Sequence, residues 1–478
     1  MIKIPKFKRD KYIFISNLKD VTANPDYPIT MRRDGYLLSS QYTNRSLEAL
    51  AKLVKARRNL LVSDNGNFTR MKSITSRFSL RGEAILALAI EEVKKDDKVK
   101  HETLEQRVDL ILEVEKACAQ ELAEMDFEAI IRKQLSINPD YMIAMEDLTI
   151  PVMMMLGLMH PVFEPSANNV SKHQNNSIEL YKTQSSGKMG SADGLSEVAK
   201  FHVLHAYDYA SAFQGAKEIR KKLSPEGIAI SYGGPMKSRR WVTSLKFGDK
   251  VETFKEKLPE PYLAATALTL GAAKGLESGV PVHILGVGTP ILIAMISTLL
   301  PESSAISIDS TAPFKDANVG TLYGSKSAFI KMDQYKVAAY SLINNSPFTS
   351  RTPFFKQFEH DFPSNWDALR AELGVTTNSK IKDIASILKK ETELTEKYIP
   401  FFSKMRSGKD EMMKRLRMDR AGHNFWILRN ICVSVRDRMD DNDDLNKWIE
   451  YQVSRYCSVA NRKWAEAVKH CFELSKKY

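Results

Sequence analysis

The feature of this sequence that most constrains its fold is an alternation of short apolar segments with helical patterns between residues 201 and 313. The apolar segments are FHVLHAY, IAISYGG, PVHILGVG and AISIDSTAP. They lack polar alternation, which is typical of parallel strands buried on both faces. Helical patterns such as SAFQGAKEIRKKL and PYLAATALTLGAAKGL separate them. Consecutive strand–helix units of this kind predict either a (β/α)8 barrel or a doubly wound sheet.

The positions of polar and glycine residues favour the barrel. Such residues stand where the predicted strands end: Asp64, Glu146, His205, Gly233, Gly234, Gly286, Gly288 and Asp309. In a (β/α)8 barrel, strand ends of this kind all meet at one catalytic rim. We therefore predict an α/β fold, a (β/α)8 TIM-type barrel with helical insertions and a helical, basic C-terminal region.

The barrel is expected to occupy residues 1–330. An irregular basic lead-in followed by a helix is expected within residues 1–60. A charged helical insertion is predicted over about 82–134, and a mobile polar loop, rich in Asn, Ser, Lys and Gly, over about 164–195. Residues 331–478 are predicted to form a helical, basic region that packs on the barrel and contacts nucleic acid.

The excess of basic residues indicates a polyanionic partner. Lys and Arg number 70 against 58 Asp and Glu, which gives a formal net charge of +12 at pH 7. A basic surface of this kind suits nucleic acid better than a membrane face. The sequence contains no run of about 18 apolar residues, so we expect no membrane-spanning segment.

The cysteines indicate neither disulfides nor a zinc site. The chain has 4 of them and no Cys-x-x-Cys pair, so we expect reduced thiols in a cytoplasmic protein. None lies between Cys118 and Cys432, which excludes a compact Cys-rich zinc site in that span. We therefore expect no metal and no cofactor.

Two carboxylates at predicted strand ends are candidates for catalysis. Asp309 in ISIDSTAP could act as a nucleophile or base, or it could cap the next segment. Asp64 in VSDNGNF could contribute to catalysis or belong to an Asx turn, and Phe68 provides a flat apolar face nearby. Carboxylates on two strands would suit a retaining double displacement at a sugar carbon, in which one attacks C1′ and the other transfers protons.

The segment ISYGGPMKSRR is a candidate for binding a base or a phosphate. Backbone amides at Gly233 and Gly234 could hydrogen-bond a planar base edge or a phosphate. The cations Lys237, Arg239 and Arg240 could contact phosphates, or they could form a solvated charge run.

Two histidines on one predicted strand are expected to point in opposite directions. His202 and His205 are three residues apart, and side chains alternate along a strand. If His205 faces the rim, His202 faces outward.

Six segments, in this order, resemble motifs of the tRNA-guanine transglycosylase superfamily, whose fold is a (β/α)8 barrel. They are SDNGNF (63–68), DYMIAMED (140–147), FHVLHAYDYA (201–210), IAISYGG (228–234), HILGVGTP (283–290) and IDSTAP (308–313). The resemblance covers roughly residues 60–325, with one further similar segment near 423. HILGVGTP is the sharpest match, to the family's Leu/Met-Gly-Val/Ile-Gly-Thr-Pro run.

The resemblance implies base exchange, in which a guanine leaves a nucleic acid and a 7-deazaguanine enters. By position, Asp309 would be the nucleophile and Asp64 the general acid and base. The remaining residues of the implied substrate site are Asn65 in the first motif, Phe68 and Leu285 on the two faces of the base, and Glu146, His205, Gly233 and Gly234 at its edge.

The chain departs from the family pattern at several of these positions. Asn65 and Asn67 stand where the family has Ser and Gly, and His205–Ala206 replaces Gln–Gly. Glu146 occupies the position of an Asp, although the adjacent Asp147 could be the true ligand. These changes affect the identity of the incoming base more than the type of reaction.

The zinc ligands of the tRNA enzymes are a larger departure. AGHNFWILRN (421–430) resembles the segment that holds the zinc-binding histidine, here His423, but the family's Cys-x-Cys-x-x-Cys cluster is missing. Because it lacks these zinc ligands, the chain resembles the branch of the superfamily that inserts 7-deazaguanines into DNA. The implied partners are double-stranded DNA and a 7-deazaguanine base of the preQ0 type, and the need for a companion ATPase-type protein stays open.

Three alternatives to DNA-guanine exchange remain. One is exchange in tRNA. A second is a non-catalytic nucleic-acid-binding subunit, against which the presence of both Asp64 and Asp309 argues. A third is an unrelated barrel enzyme acting on a small phosphorylated substrate, which would not explain the charge of +12 or the order of the motifs.

Overall fold

The computed structural model describes most of the chain. The described residues are 12–17, 35–163, 167–186, 198–232, 235–237, 240–248, 250–277, 279–300, 305–324, 329–346, 352, 366–391, 393–394, 397 and 411–477. The strands are β1 (Tyr12–Asn17), β2 (Gly35–Ser39), β3 (Leu60–Asp64), β4 (Tyr141–Ile143), β5 (Ala199–Leu204), β6 (Gly227–Ser231), β7 (Trp241–Phe247), β8 (Lys250–Pro259), β9 (Val282–Leu285), β10 (Ile306–Asp309), β11 (Leu322–Tyr323) and β12 (Lys331–Met332).

Eight of these strands close into a parallel barrel. Its order is β1-β2-β3-β4-β5-β6-β9-β10, and β1 pairs with both β2 and β10, so the sheet has no free edge. The register places Ile15 beside Asp309 on one side and beside Gly35 on the other. The predicted (β/α)8 barrel is therefore confirmed, and the doubly wound alternative is wrong.

The helices of the described residues surround and extend the barrel. They are α1 (Arg45–Ala56), α2 (Asn67–Asp96), α3 (His101–Ala123), α4 (Phe127–Leu135), α5 (Thr149–Met155), α6 (Ala167–Ser185), α7 (Tyr209–Lys222), α8 (Glu260–Leu276), α9 (Pro290–Ile296), α10 (Ala312–Asn318), α11 (Gln334–Asn344), α12 (Trp366–Glu372), α13 (Ile381–Lys390), α14 (Glu411–Arg436), α15 (Asn442–Val459) and α16 (Arg462–Lys477). None of them combines the length and the apolar character needed to span a bilayer.

The barrel strands are apolar because both of their faces are buried. One cluster consists of alternate strand residues that fill the barrel interior, among them Ile13, Ile15, Val62 and Phe201. The intervening strand residues, such as Phe14, belong to the larger core formed with the surrounding helices. Two buried faces explain why the strand sequences show no polar alternation.

The first part of the barrel corrects one expectation. Residues 12–17 and 35–39 were expected within an irregular lead-in, but they form the barrel strands β1 and β2. Both segments are short and apolar, and the sequence predicts no helix between them that would mark a strand–helix unit. Barrel closure gives them their structure, because β1 is paired along both edges.

The predicted charged insertion is helical and begins earlier than expected. α2 starts at Asn67, directly after β3, and α2, α3 and α4 all lie between β3 and β4. Their buried side chains, among them Ile74, Ala89 and Val114, form a core of their own with α5. The insertion is thus a packed helical layer with its own apolar core.

The predicted polar loop over about 164–195 is wrong for residues 167–185, which form α6. The buried positions of this helix recur with helical spacing at Val170, His173, Gln174, Ser177, Ile178, Tyr181 and Gln184. Most of these side chains are polar and bond to barrel residues, so apolar periodicity alone does not reveal the helix. Residues 164–166 and 187–197 lie outside the described part of the chain.

The C-terminal region packs on the barrel through α14. This helix contacts β1, α9 and α10, and the ring of Phe425 lies 6.2 Å from that of Phe14 in β1. α15 and α16 continue the same core, whereas α11, α12 and α13 enclose a smaller one. The expected helical C-terminal region is observed over the described residues.

The close approach of α7 and α8 provides a test of the packing. A Cβ atom at Gly271 would overlap the backbone carbonyl of Tyr209. We expect Gly271→Ala to lower the free energy of unfolding by about 1–3 kcal/mol, the usual cost of overpacking. Helix propensity alone would raise the free energy of unfolding, because Ala is favoured over Gly in a helix by roughly 1 kcal/mol. Urea denaturation would measure it, and an unchanged or raised stability would contradict this packing.

Candidate active site

The predicted catalytic residues lie at one rim of the barrel. Asp64 is the last residue of β3, Leu285 the last of β9 and Asp309 the last of β10. His205 follows β5 directly, and Glu146 is the third residue after the end of β4. Because all these strands are parallel, their carboxyl ends face the same side of the barrel.

Asp309 is held by a backbone amide and stays partly open to solvent. Its Oδ1 accepts a hydrogen bond from the Gly286 N–H at 3.0 Å, and its side chain is 18% exposed. Gly286 has a φ of 80°, a left-handed conformation that glycine adopts at little cost. The sharp turn after β9 therefore directs an amide at the carboxylate of Asp309.

Asp64 lies in an environment that disfavours its charged form. Burial, and then the neighbouring carboxylate of Asp309, raise the pKa of Asp64 above its usual value. The N–H of Gly66 donates to Asp64 Oδ2 at 3.2 Å and opposes part of this shift. A carboxyl group with a raised pKa beside an accessible carboxylate can supply a proton in a reaction at that carboxylate.

Glu146 is the third carboxyl group at the rim. Burial, and then the charge of Asp64, raise its pKa to about 8, and the neighbouring side chains of Asn67 and Asn65 oppose the shift. Asn65 itself is buried: its Nδ2 donates to the Ala144 carbonyl at 2.7 Å, and its Oδ1 accepts from the Asn67 N–H at 2.9 Å. Asn65 thus ties the end of β3 to the end of β4.

Asp147 has a different environment from its neighbour Glu146. Its Oδ2 lies 3.0 Å from His173 Nδ1 and accepts from Asn176 Nδ2 at 2.8 Å, while Oδ1 accepts from the Thr149 N–H at 2.8 Å. Burial raises the pKa of Asp147, but the hydrogen bond and charge of His173 outweigh it and hold the pKa well below its usual range. Because Asp147 is occupied by protein partners, Glu146 is the carboxyl group placed beside Asp64.

His205 lies against Glu146 and is fully enclosed. Its Nε2 is 3.0 Å from Ser177 Oγ and 3.7 Å from Glu146 Oε2. Burial lowers the pKa of His205 to about 4, so the imidazole is neutral near pH 7. His202 faces out of the barrel towards α6, with its Nε2 2.8 Å from Gln174 Nε2.

Helix α6 holds the ends of β4 and β5, a role that the sequence analysis missed. Ser177 Oγ accepts from the Asp147 N–H, Gln184 Oε1 from the Met145 N–H, and Gln174 Oε1 from the His205 N–H, at 2.9, 3.0 and 2.9 Å. The detectable signal is the helical spacing of these buried polar residues. Their side-chain oxygens accept hydrogen bonds from backbone N–H groups that have no partner in the sheet once the strands have ended.

A buried polar network lies inside the barrel below Asp309. Ser307 Oγ is 2.9 Å from His283 Nδ1 and 2.7 Å from the hydroxyl of Tyr141, which is itself 3.1 Å from the same nitrogen. His283 Nε2 faces Asp309 Oδ1 at 3.5 Å. If one of these hydroxyls donates to Nδ1, the ring proton of a neutral imidazole lies on Nε2, the nitrogen that faces Asp309.

The other predicted site residues are placed less completely. Phe68 lies in the first turn of α2 and is 49% exposed, with Lys72 over its ring, whereas Leu285 is half-buried against the barrel interior. Arg240 Nη1 pairs with Glu260 Oε1 at 3.0 Å. Gly233, Gly234, Arg239 and the side chain of Lys237 lie outside the described residues.

His423 fixes the backbone that follows β10 and α10. Its Nε2 lies 2.7 Å from the Tyr323 carbonyl and its Nδ1 3.2 Å from Thr352 Oγ1. The adjacent Asn424 bonds to the Tyr323 N–H and the Thr321 carbonyl at 2.9 and 3.0 Å.

Within the described residues, no group of three or more His, Cys, Asp or Glu side chains is arranged to hold a metal ion.

Comparison with known proteins gives no independent indication of function, so the proposal below rests on the sequence and the site. Neither a protein-family model nor a curated protein sequence matches this chain.

Glu146 and Asp147 should affect the pH dependence of stability in opposite ways. The folded pKa of Glu146 is raised to about 8, so its contribution to stability falls as the pH rises from roughly 4.3 to 8. We expect Glu146→Gln to raise the thermal unfolding midpoint at about pH 8 and to leave it nearly unchanged at about pH 4.

Asp147→Asn provides the matched comparison. The lowered pKa of Asp147 means that its contribution is present above roughly pH 3.9 and is lost as the pH falls further. We therefore expect Asp147→Asn to lower the midpoint at neutral pH, with a difference that shrinks in acid. Midpoints that shift in the same direction for both variants at about pH 8 would contradict the two environments.

Proposed function

We propose that this protein exchanges guanine in DNA for a 7-deazaguanine through a covalent sugar–enzyme intermediate. The observation that carries the proposal is the pair of carboxyl groups at the rim, Asp309 and Asp64. Asp309 is accessible and held by an amide, while Asp64 beside it has a raised pKa. This pairing supports a retaining double displacement, in which one carboxyl group attacks and the other transfers protons.

The first half-reaction forms the intermediate. An Asp309 carboxylate oxygen attacks C1′ of the target nucleotide, and the bond between C1′ and N9 of guanine breaks. The electron pair of that bond leaves with guanine, and Asp64 donates its proton to the departing base. The raised pKa of Asp64 favours the protonated form that this step needs.

The second half-reaction reverses these roles. Asp64, now ionised, takes the proton from N9 of the incoming 7-deazaguanine. N9 attacks C1′, the bond from C1′ to the Asp309 oxygen breaks, and Asp309 leaves as a carboxylate. The amide of Gly286 is positioned to stabilise the charge that returns to Asp309.

Recognition of the base is assigned to Glu146 and His205. The pKa of about 8 keeps Glu146 mainly protonated at neutral pH in the empty site. The two N–H groups on the donor edge of a guanine-type base favour its ionised form, which accepts a hydrogen bond from each of them. His205 and Asn65 fix its surroundings, and Phe68 and Leu285 provide apolar surface at the rim. Burial of Glu146 makes its pairing selective, because a base without these donors would leave the carboxyl group without partners.

The choice of DNA rests on the resemblance to the DNA-modifying branch and on the missing cysteine cluster. A duplex substrate requires the target nucleotide to be flipped out of the stack, which costs a few kcal/mol. The net charge of +12 suits phosphate contacts that could offset this cost. The 7-deazaguanine partner and a companion ATPase-type protein belong to the same proposal.

Base exchange and adduct trapping would test the two carboxyl roles. Wild-type protein should incorporate a 7-deazaguanine into duplex DNA and form a denaturation-resistant protein–DNA adduct. We expect Asp309→Asn to abolish both, and Asp64→Asn to slow adduct formation by about 10²- to 10⁴-fold, the usual contribution of general acid catalysis. Asp109→Asn, on an exposed face of α3, is the matched control.

Each outcome of this experiment has a distinct meaning. Normal exchange by Asp309→Asn would contradict the nucleophile, and adduct formation at the wild-type rate by Asp64→Asn would contradict the general acid. A parallel reaction with tRNA distinguishes the polymers, because exchange confined to tRNA would overturn the DNA assignment. Nucleic-acid binding without exchange or adduct on either polymer would indicate a non-catalytic subunit.

The network below Asp309 leads to a prediction about redundancy. Tyr141→Phe and Ser307→Ala each leave one hydroxyl able to donate to His283 Nδ1, so each should change the rate of adduct formation by less than about 3-fold. The double variant removes both hydroxyls, so no donor keeps the ring proton of His283 on Nε2. We expect it to slow adduct formation by about 10- to 100-fold, or about 1.4–2.7 kcal/mol in activation free energy, because the ring proton of His283 is then no longer directed at Asp309.

Rapid-quench kinetics of adduct formation would measure this effect, with thermal unfolding midpoints as the control for folding. A double variant whose loss equals the product of the two single losses would show that the hydroxyls act independently. That result would contradict a shared role in orienting His283.

A further inference from the structure

The antiparallel hairpin formed by β7 and β8 is an addition to the barrel. It is inserted between β6 and α8, so it follows the carboxyl end of a barrel strand, the same end that carries Asp309. Trp241 pairs with Pro259 at its base, and Phe247 pairs with Lys250 near its tip. The ring of Phe247 lies 6.0 Å from that of Tyr209, at the first residue of α7.

One face of the hairpin is packed against the protein. Its apolar side chains are Val242, Leu245, Phe247, Phe254 and Leu258, which join the main core together with residues of α8 and α16. The ring of Phe254, for example, lies 5.0 Å from that of His470 in α16. These contacts fix which way the opposite face of the hairpin points.

The described acidic residues of the hairpin lie on this packed face. Glu256 pairs with Arg462 of α16 at 2.7 Å, and Glu252 pairs with Lys477 at the end of the same helix. Both share the face of Phe254, because residues two apart point to the same side of a strand. The C-terminal helix therefore neutralises the negative charge of the hairpin.

The opposite face is open and carries only positive charge among its described residues. Lys246, Lys255 and Lys257 are exposed there, with Ser244, Val251 and Thr253 between them. None of the three lysines forms an ion pair with a residue that the structure describes. Trp241, 46% exposed, continues this face towards the base of the hairpin, and Lys463 lies 5.1 Å from its ring centre.

We propose that this open face, the lysine face of Lys246, Lys255 and Lys257, binds the phosphate backbone of the nucleic-acid substrate. Lysines two residues apart on a strand are separated by about 6.6 Å and form a row of cations. The segregation of charge, with acids neutralised on one face and lysines without ion pairs on the other, matches a polyanion that contacts the open face. The identity of the polymer as substrate rests on the proposed function.

Salt-dependent binding of duplex DNA would test the lysine face. The variant Lys246→Ala/Lys255→Ala/Lys257→Ala would be compared with Lys94→Ala/Lys98→Ala/Lys116→Ala, which removes the same charge from exposed positions of the helical insertion. Both would carry Asp309→Asn so that no turnover occurs. Fluorescence anisotropy would give the dissociation constant between about 50 and 200 mM salt.

The lysine-face variant should lose about 2.7 from the slope of log affinity against log salt, at about 0.9 for each phosphate contact. Its affinity near 0.1 M salt should fall by about 10²-fold. The control should keep the wild-type slope. An unchanged slope in the lysine-face variant, or an equal loss in the control, would overturn the proposal, as would loss of anionic-vesicle binding with DNA binding intact.

Steady-state kinetics with Asp309 restored would separate this inference from the proposed function. We expect the lysine-face variant to raise KM for the polymer and to leave kcat and the KM for the free base unchanged. Exchange with an unaltered polymer KM would refute the lysine face and leave base exchange intact. Lysine-dependent DNA binding without any exchange would support the lysine face and refute base exchange. If the triple variant unfolds, Lys255→Ala alone should reduce the slope by about 0.9.

Discussion

Burying several carboxyl groups at one rim is the physical constraint on which the rest of this site depends. Asp64, Glu146 and Asp309 belong to three strands or the residues after them, and burial together with a neighbouring carboxyl group disfavours the charged forms of Asp64 and Glu146. A protein can hold such a group only with fixed donors and a rigid scaffold. The amides of Gly66 and Gly286 supply donors, and the closed barrel supplies the rigidity.

The helical layer beside the barrel extends this support outwards. His173 on α6 lies between Asp147 and Glu115 of α3, at 3.0 and 3.1 Å, and therefore links the insertion to the loop that carries Glu146. Ser177 connects the same loop to His205. The insertion and α6 thus support the rim through hydrogen bonds. These bonds explain why α6 is helical although most of its residues are polar.

The C-terminal helices have a comparable role on the other side of the rim. His423 and Asn424 of α14 bond to the backbone around Tyr323, which follows α10 and the candidate nucleophile. Hydrogen bonds from this long helix thus stabilise the segment that follows Asp309 and α10, and α16 in addition orients the hairpin of β7 and β8.

The sequence by itself determined the class of fold and the polar residues that stand at the strand ends. Apolar strands in alternation with helices specify a parallel sheet buried on both faces, and polar residues at their ends, such as Asp64 and Asp309, must then share one rim. Only the tertiary structure decided the rest, because it depends on contacts between residues far apart in the chain. Closure of the barrel pairs β1 and β2 with neighbouring strands and so makes them strands. Hydrogen bonds to barrel residues stabilise α6 despite its polar sequence. The same kind of contact separated the adjacent Glu146 and Asp147, since one lies beside Asp64 and the other beside His173.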